Sequence, residues 1–308
     1  SSFFVHKKVE LLVSFSTFYR EIKEVKFYMS KGEDKMGMNS PAEIAKNYVA
    51  IGKGKANLAI DKMFVLAVIA GAFIAFGGVG SATAAVGVTP ASVGKLISGC
   101  IFPGGLTLVL LAGSELFTGN CLLSIPLLEK EITVKQLLRN WIVVYFGNMV
   151  GGMLVAAGLV YSGQYNMFDG GMAVSVFSTA VTKCTMTFSE AFIKGIFCNI
   201  LVCLAVWVAF SAKDSAGKII SLFFPILIFV VCGFEHCVAN MYYISAGLFG
   251  KYVPSYVAVA EAAGLNLSVI TWKNFFITNL IPVTLGNIVG GAVCVGAVYW
   301  YIYLRKKK

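Results

Sequence analysis

Residues 219–250 form an apolar run longer than the roughly 20 residues that cross a bilayer as a helix. Its middle nevertheless reads Cys-Gly-Phe-Glu-His-Cys-Val-Ala-Asn, residues 232–240. That insert carries an acid, an amide and the only histidine in any hydrophobic segment, His236. Ionisable groups at membrane depth are costly and mark a pathway or a binding site. An unbroken helix has no use for them there, whereas a helix that breaks at a polar cavity and restarts does. The stretch therefore reads as two half-helices around a polar break, with His236 turned towards whatever passes.

Composition sets the frame for the other segments. The chain is 58% hydrophobic with mean hydropathy +0.80 and 13% charged residues, more apolar surface than a soluble globular fold needs. A net charge of +10 suggests a nucleic-acid partner, but charge placement rejects one. Of 25 Lys and Arg, 11 precede Met63 and four close the chain as Arg305-Lys306-Lys307-Lys308. The connectors 129–140 (Lys130, Lys135, Arg139) and 211–218 (Lys213, Lys218) are basic too. This is the positive-inside pattern, which puts both termini on the cytoplasmic side of the cell membrane. The eight cysteines include no Cys-x-x-Cys pair. They read as packing residues, and neither a disulfide, a metal nor a cofactor is expected.

Six spans are expected at 63–87, 92–128, 141–161, 190–210, 219–250 and 275–304. The second is too long and too broken for one plain helix. Residues 1–38 mix Phe, Val and Leu with Lys, Glu and Arg and contain no uninterrupted signal-peptide core. They read as an N-terminal extension, a leader or disordered segment, with Met29, Met36 and Met38 as candidate starts. Residues 39–62 open on Ser40-Pro41-Ala42-Glu43, a capping box with proline at the first helical position. Ile44, Tyr48 and Ile51 then recur at helical spacing, which predicts an amphipathic helix on the cytoplasmic surface. Residues 63–308 are the six-span unit.

That unit repeats internally. Gly147-Asn148-Met149-Val150-Gly151-Gly152 in the third span returns as Gly286-Asn287-Ile288-Val289-Gly290-Gly291 in the sixth. Glu115-Leu116-Phe117-Thr118-Gly119-Asn120 returns as Glu235-His236-Cys237-Val238-Ala239-Asn240, both Glu-x4-Asn. Each half, 63–161 and 190–304, has three crossings, so the halves are inverted and their broken spans meet at the centre. The Gly-x-x-x-Gly spacings read as close helix approach. At the centre Thr118 offers a hydroxyl and His236 a ring that titrates near neutral pH. Glu115 and Glu235 are expected to accept backbone N–H groups freed by the breaks, with Asn120 and Asn240 closing the turns.

Leu116-Phe117-Thr118-Gly119-Asn120, Arg139-Asn140-Trp141 followed by Tyr145-Phe146-Gly147-Asn148, and Gly233-Phe234-Glu235-His236 with Ala239-Asn240-Met241 resemble the formate/nitrite transporter family. The similarity runs from about Ser40 to the C-terminus, and within the family the whole chain most resembles the bacterial hydrosulfide channel branch. The resemblance implies an all-α, aquaporin-like fold of six spans in a homopentamer, one passage per protomer. It implies Thr118 and His236 at the centre of each passage and Lys183 and Asn199 as a polar pair beside the histidine. Phe102, Leu106, Phe229 and Leu116 match apolar constrictions. The implied function is a channel for small monovalent anions of weak acids, pH-dependent through the histidine. A proton-coupled symporter of the same anions is the alternative. The absence of Asn-Pro-Ala argues against a neutral-solute channel of aquaporin type, and one histidine is thin support for a haem or quinone enzyme.

Overall fold

The computed structural model describes residues 37–306, so the extension expected over 1–38 lies outside the described residues except at its last two. The chain is an all-α polytopic membrane protein, and the only β pairing among the described residues is a single bridge between Met38 and Ala212. In chain order the helices are α1 (Pro41–Ala56), α2 (Ile60–Ala85), α3 (Ala91–Gly113), α4 (Phe117–Leu128), α5 (Val134–Tyr161), α6 (Gly171–Cys184), α7 (Phe188–Ala209), α8 (Ser215–Val231), α9 (Cys237–Gly250), α10 (Pro254–Ala262) and α11 (Asn274–Tyr303).

Helices α2, α3, α5, α7 and α11 are long and apolar enough to cross a bilayer. The fifth expected crossing contains no helix of that length; α8 and α9 share it with 17 and 14 residues. The second is likewise divided, between α3 and α4. Each outer piece ends where a glycine takes a left-handed φ, +80° at Gly113 and +66° at Gly233, a turn that a side chain would strain. The next residue's N–H then reaches back five positions, Ser114 to the Val109 carbonyl and Phe234 to that of Phe229, each at 3.1 Å. The same local chemistry breaks both crossings at equivalent points.

The halves are longer than the spans suggest. Helix α1 packs on α4 as α6 packs on α9, and α2 with α5 matches α7 with α11. Each repeat therefore begins with a short helix, α1 or α6, that the boundaries 63–161 and 190–304 leave out. The glycines of the third and sixth spans bring the long pairs together. A Cβ on Gly151 would overlap the Val68 carbonyl of α2, and one on Gly290 the Ile196 carbonyl of α7.

Helix α1 is capped at Ser40 by Glu43 as expected, but it stops at Ala56, and its apolar stripe faces protein. Ile44, Ala45, Tyr48, Gly52 and Ala56 are buried, and a Cβ on Gly52 would lie 2.7 Å from the Pro126 ring. The expected membrane-surface helix is thus a docked one, because its stripe has α4 to cover it. The third span starts at Val134, inside the expected connector, where a Thr133–Gln136 capping box opens α5. Arg139 there donates to the carbonyls of Ala56 and Leu58 at 2.7 and 3.0 Å, holding the α1–α2 turn.

Candidate functional site

The two breaks face each other across the inverted halves, and the same set of polar side chains holds each. In the first, Asn148 of α5 donates to the carbonyls of Ala67 (2.7 Å) and Glu115 (2.9 Å), and its amide oxygen accepts the Phe117 N–H (2.9 Å). In the second, Asn287 of α11 donates to the carbonyls of Gly195 (2.8 Å) and Glu235 (2.9 Å) and accepts the Cys237 N–H (2.9 Å). A break in the membrane strands backbone groups that water cannot reach. One asparagine per half satisfies two of them, and its other amide hydrogen ties the break to a carbonyl of the neighbouring long helix, Ala67 of α2 or Gly195 of α7.

The carboxylates expected to do that work do something else. Glu115 takes the ammonium of Lys55 at 2.7 Å and the amide of Asn120 at 2.7 Å. Glu235 takes Lys183 on both oxygens at 2.9 Å and Asn240 at 2.6 Å. Asn120 and Asn240 do not close turns with their side chains. Each bridges its acid to a further amide, Asn140 (2.9 Å) or Asn279 (2.8 Å), whose Nδ2 returns to the carbonyl of Lys55 (3.4 Å) or Lys183 (3.0 Å). A carboxylate at this depth needs a cation more than it needs a neutral donor, and the last turns of α1 and α6 bring one each.

Between the breaks, the Thr118 hydroxyl and His236 Nε2 lie 2.9 Å apart, both buried. His236 is the N-cap of α9, and its Nδ1 accepts the Ala239 N–H at 3.0 Å. A nitrogen that accepts carries no proton, so the neutral ring has its proton on Nε2 and donates it to Thr118 Oγ1. The Thr118 hydroxyl hydrogen is then left over. Thr118 itself is fixed by the other half: its carbonyl accepts from Asn199 Nδ2 (3.2 Å) and Cys203 Sγ (3.3 Å) of α7. Asn199 also donates to the Asn287 carbonyl at 2.7 Å. Lys183 and Asn199 are therefore not a pair. One compensates Glu235, with its ammonium also 5.4 Å from the Tyr243 ring centroid, and the other supports Thr118 from behind.

The four apolar residues fall into two floors. Phe102 and Phe229 meet edge to face at 5.4 Å between ring centroids, and Phe229 stacks near His236 at 6.1 Å. Together with His236 they line a vestibule of about 600 Å³ on the side away from α1. Leu106 and Leu116 belong to the other side, where the cavity lined by Tyr48, Val206 and Phe210 is only about 30 Å³. Among the described residues no three His, Cys, Asp or Glu side chains converge to hold a metal ion, and all eight cysteines are unpaired.

Lys55, Asn140, Asn148, Asn279 and Asn287 were not singled out by the sequence as site residues. The available signal was an asparagine in the interior of an apolar span, repeated at the same place in both halves.

Comparison with known proteins gives one consistent picture. A family model described as formate/nitrite transporter matches residues 42–301. A protein of Methanothermobacter thermautotrophicus named "Probable formate transporter" is 41% identical over 286 residues, covering 87% of this chain and 98% of its own. Formate channel FocA of Escherichia coli K12 is 39% identical over 280 residues, covering 90% and 98%. The solved structure of a pentameric formate channel with formate bound superposes with a TM-score of 0.71 at 38% identity, over 80% of this chain and 98% of that one. A second, an FNT family ion channel, gives 0.73 at 31% identity, over 84% and 98%.

Proposed function

This chain belongs to the formate/nitrite transporter family, and from that premise we propose that it is a channel for small monovalent anions of weak acids: formate, nitrite and hydrosulfide. Its relatives are named for channels and transport rather than for catalysis. The proposed assembly is a homopentamer in the cell membrane, one passage per protomer, with both termini cytoplasmic. The pentameric relative and the basic termini support that arrangement.

One observation carries the reading, the Thr118–His236 hydrogen bond. His236 lines the wide cavity with Phe102 and Phe229, and Leu116, two residues before Thr118, lines the narrow one with Leu106. That placement supports a central pair flanked by two apolar floors. A bare anion in an apolar constriction meets a large desolvation cost. The spare Thr118 hydrogen, polarised by the Nε2–H behind it, is a donor aimed at an anion between the floors. The amino-terminal ends of α4 and α9 add positive potential at the same level. An anion whose acid is weak lowers the cost further by sharing a proton, because the neutral acid crosses an apolar slit readily. Chloride has no such route.

The pH response runs through His236. A second proton on the ring has to displace the Ala239 N–H from Nδ1, so charging the ring loosens the first turn of α9. Uptake into proteoliposomes, measured for formate, nitrite, hydrosulfide and chloride across pH, tests this. Flux of the three weak acids should rise on acidification and exceed that of chloride by at least about tenfold, a 1.4 kcal/mol difference in barrier. In His236→Asn, where the amide can still cap α9, assembly should persist while the pH dependence and chloride exclusion change. An identical pH profile and chloride exclusion in that variant would remove the histidine from the account.

A further inference from the structure

The wide vestibule carries charge that the passage of a monovalent anion does not use. Along α3, Ala91, Lys95, Ser98 and Phe102 fall on one helical face and line it together. Lys95 therefore stands two turns, about 10 Å, before the floor residue Phe102. Lys194 of α7 and Lys183 of α6 line the same space, with Glu235 as the acid among them. Glu235 compensates Lys183. Lys95 and Lys194 have no carboxylate within salt-bridge distance among the described residues. The hydroxyls of Ser175 and Ser178, also on the wall, make no hydrogen bond among those residues and are available as donors. At the equivalent place in the other half, Lys55 and Glu115 cancel beside a cavity of about 30 Å³. Among the described residues lining the two cavities, the excess of two positive charges thus lies in the wide one, a space of about 600 Å³.

We infer that this vestibule is a binding site for a small dianion, a dicarboxylate or sulfate held between Lys95 and Lys194 above the Phe102–Phe229 floor. One monovalent anion leaves one of the two ammonium groups uncompensated, whereas one dianion compensates both within a screening length. A bound dicarboxylate is too bulky and too strongly hydrated to enter the ring contact below it. It therefore obstructs entry of monovalent anions from this side. The binding statement rests on the vestibule alone; the obstruction rests also on the channel reading.

Isothermal titration of purified, detergent-solubilised protein with malonate, sulfate and acetate at constant ionic strength tests the binding. Malonate and sulfate should bind at one site per protomer, at least tenfold more tightly than acetate, and Lys95→Gln with Lys194→Gln should abolish that preference. Lys95→Arg with Lys194→Arg should retain it. If the double glutamine variant does not assemble, each single glutamine variant should show a several-fold loss. Equal affinity for malonate and acetate, or malonate binding unchanged in the glutamine variants, overturns the site. Malonate added to one face of proteoliposomes should then slow formate entry in the unaltered protein and not in the double variant. Binding that follows the lysines in a protein that passes no formate leaves the site standing and defeats the channel reading. Formate flux that malonate neither binds to nor slows does the reverse.

Discussion

The two breaks share a backbone and differ in chemistry. Gly113 and Gly233 end the outer pieces, Glu115 and Glu235 follow two residues later, and Asn120 and Asn240 lie five beyond those. The N-cap positions have nearly the same geometry, φ −108° and ψ 123° at Leu116 against φ −112° and ψ 113° at His236. Yet Leu116 offers no cap and no donor, whereas His236 both caps α9 and reaches Thr118. Thr118 in turn corresponds to Val238. The central pair therefore does not come from equivalent positions; each half contributes the polar residue where the other is apolar. Lys, Glu and the three Asn are what a broken crossing requires and occur twice, whereas the Thr–His contact is what the site adds and occurs once.

Removing the bracing asparagines is the strongest test of that division. Asn148→Leu strands the Phe117 N–H and the Glu115 carbonyl and cuts the tie to α2 at Ala67, and Asn287→Leu strands the Cys237 N–H and the Glu235 carbonyl and cuts the tie to α7 at Gly195. Each lost partner costs about 1–3 kcal/mol, enough in sum to prevent assembly. Size-exclusion profiles and melting temperatures in detergent should collapse for both variants alike. If one half tolerates the change and the other does not, the structural equivalence of the two breaks fails.

A smaller effect is expected at the lysines. Lys183→Ala and Lys55→Ala each leave a buried carboxylate without its cation, a loss of about 3–5 kcal/mol where the pair is fully enclosed. Lys183 is the more enclosed, its side chain 12% exposed against 23% for Lys55, so the second half should suffer more. Lys183→Ala is thus expected to lower stability as well as flux. Combining Lys183→Met with Glu235→Gln should restore most of the melting temperature, since a neutral amide needs no cation. Failure of that rescue would mean that Lys183 contributes by packing on Tyr243 instead.

The breaks themselves are legible in the sequence, because Glu-x4-Asn inside an apolar run has no lipid-compatible alternative to a polar cavity. The inverted halves follow from the repeat and from an odd number of crossings in each. The braces are harder to see. Asn148 and Asn287 stand within glycine motifs whose close-packing role is also real, and that role accounted for the motif without them. Lys55 lies on a helix whose stripe of Ile44 and Tyr48 suits a membrane surface as well as it suits α4; only the packing decides, with Gly52 against Pro126. Lys183 and Glu235 are 52 residues apart with no shared motif. Contacts of that kind depend on how helices stack, which periodicity does not encode.

The finest difference between the halves is how their leading helices begin. Helix α1 starts at Ser40, whose N–H and hydroxyl both reach the Glu43 carboxylate, at 2.7 and 2.8 Å. Helix α6 starts at Gly170 with no side-chain cap. The Ser40 backbone N–H, then its hydroxyl and the more distant Lys213 and Lys46, hold the Glu43 carboxyl below its usual range. Because that value is lowered in the folded chain, the cap stabilises α1 above the ordinary glutamate range and is lost as pH falls through the folded value. Amide exchange in the first turn of α1 should therefore quicken a few-fold below about pH 4, with little change in the global melting temperature because the carboxylate is fully exposed to solvent. In Glu43→Gln, whose amide oxygen can still accept from Ser40, exchange should lose that acid dependence. The start of α6 should show none beyond the intrinsic rate. Equal acid sensitivity at both starts would place the response in the shared helix packing, and the two leading helices would then differ less than their caps suggest.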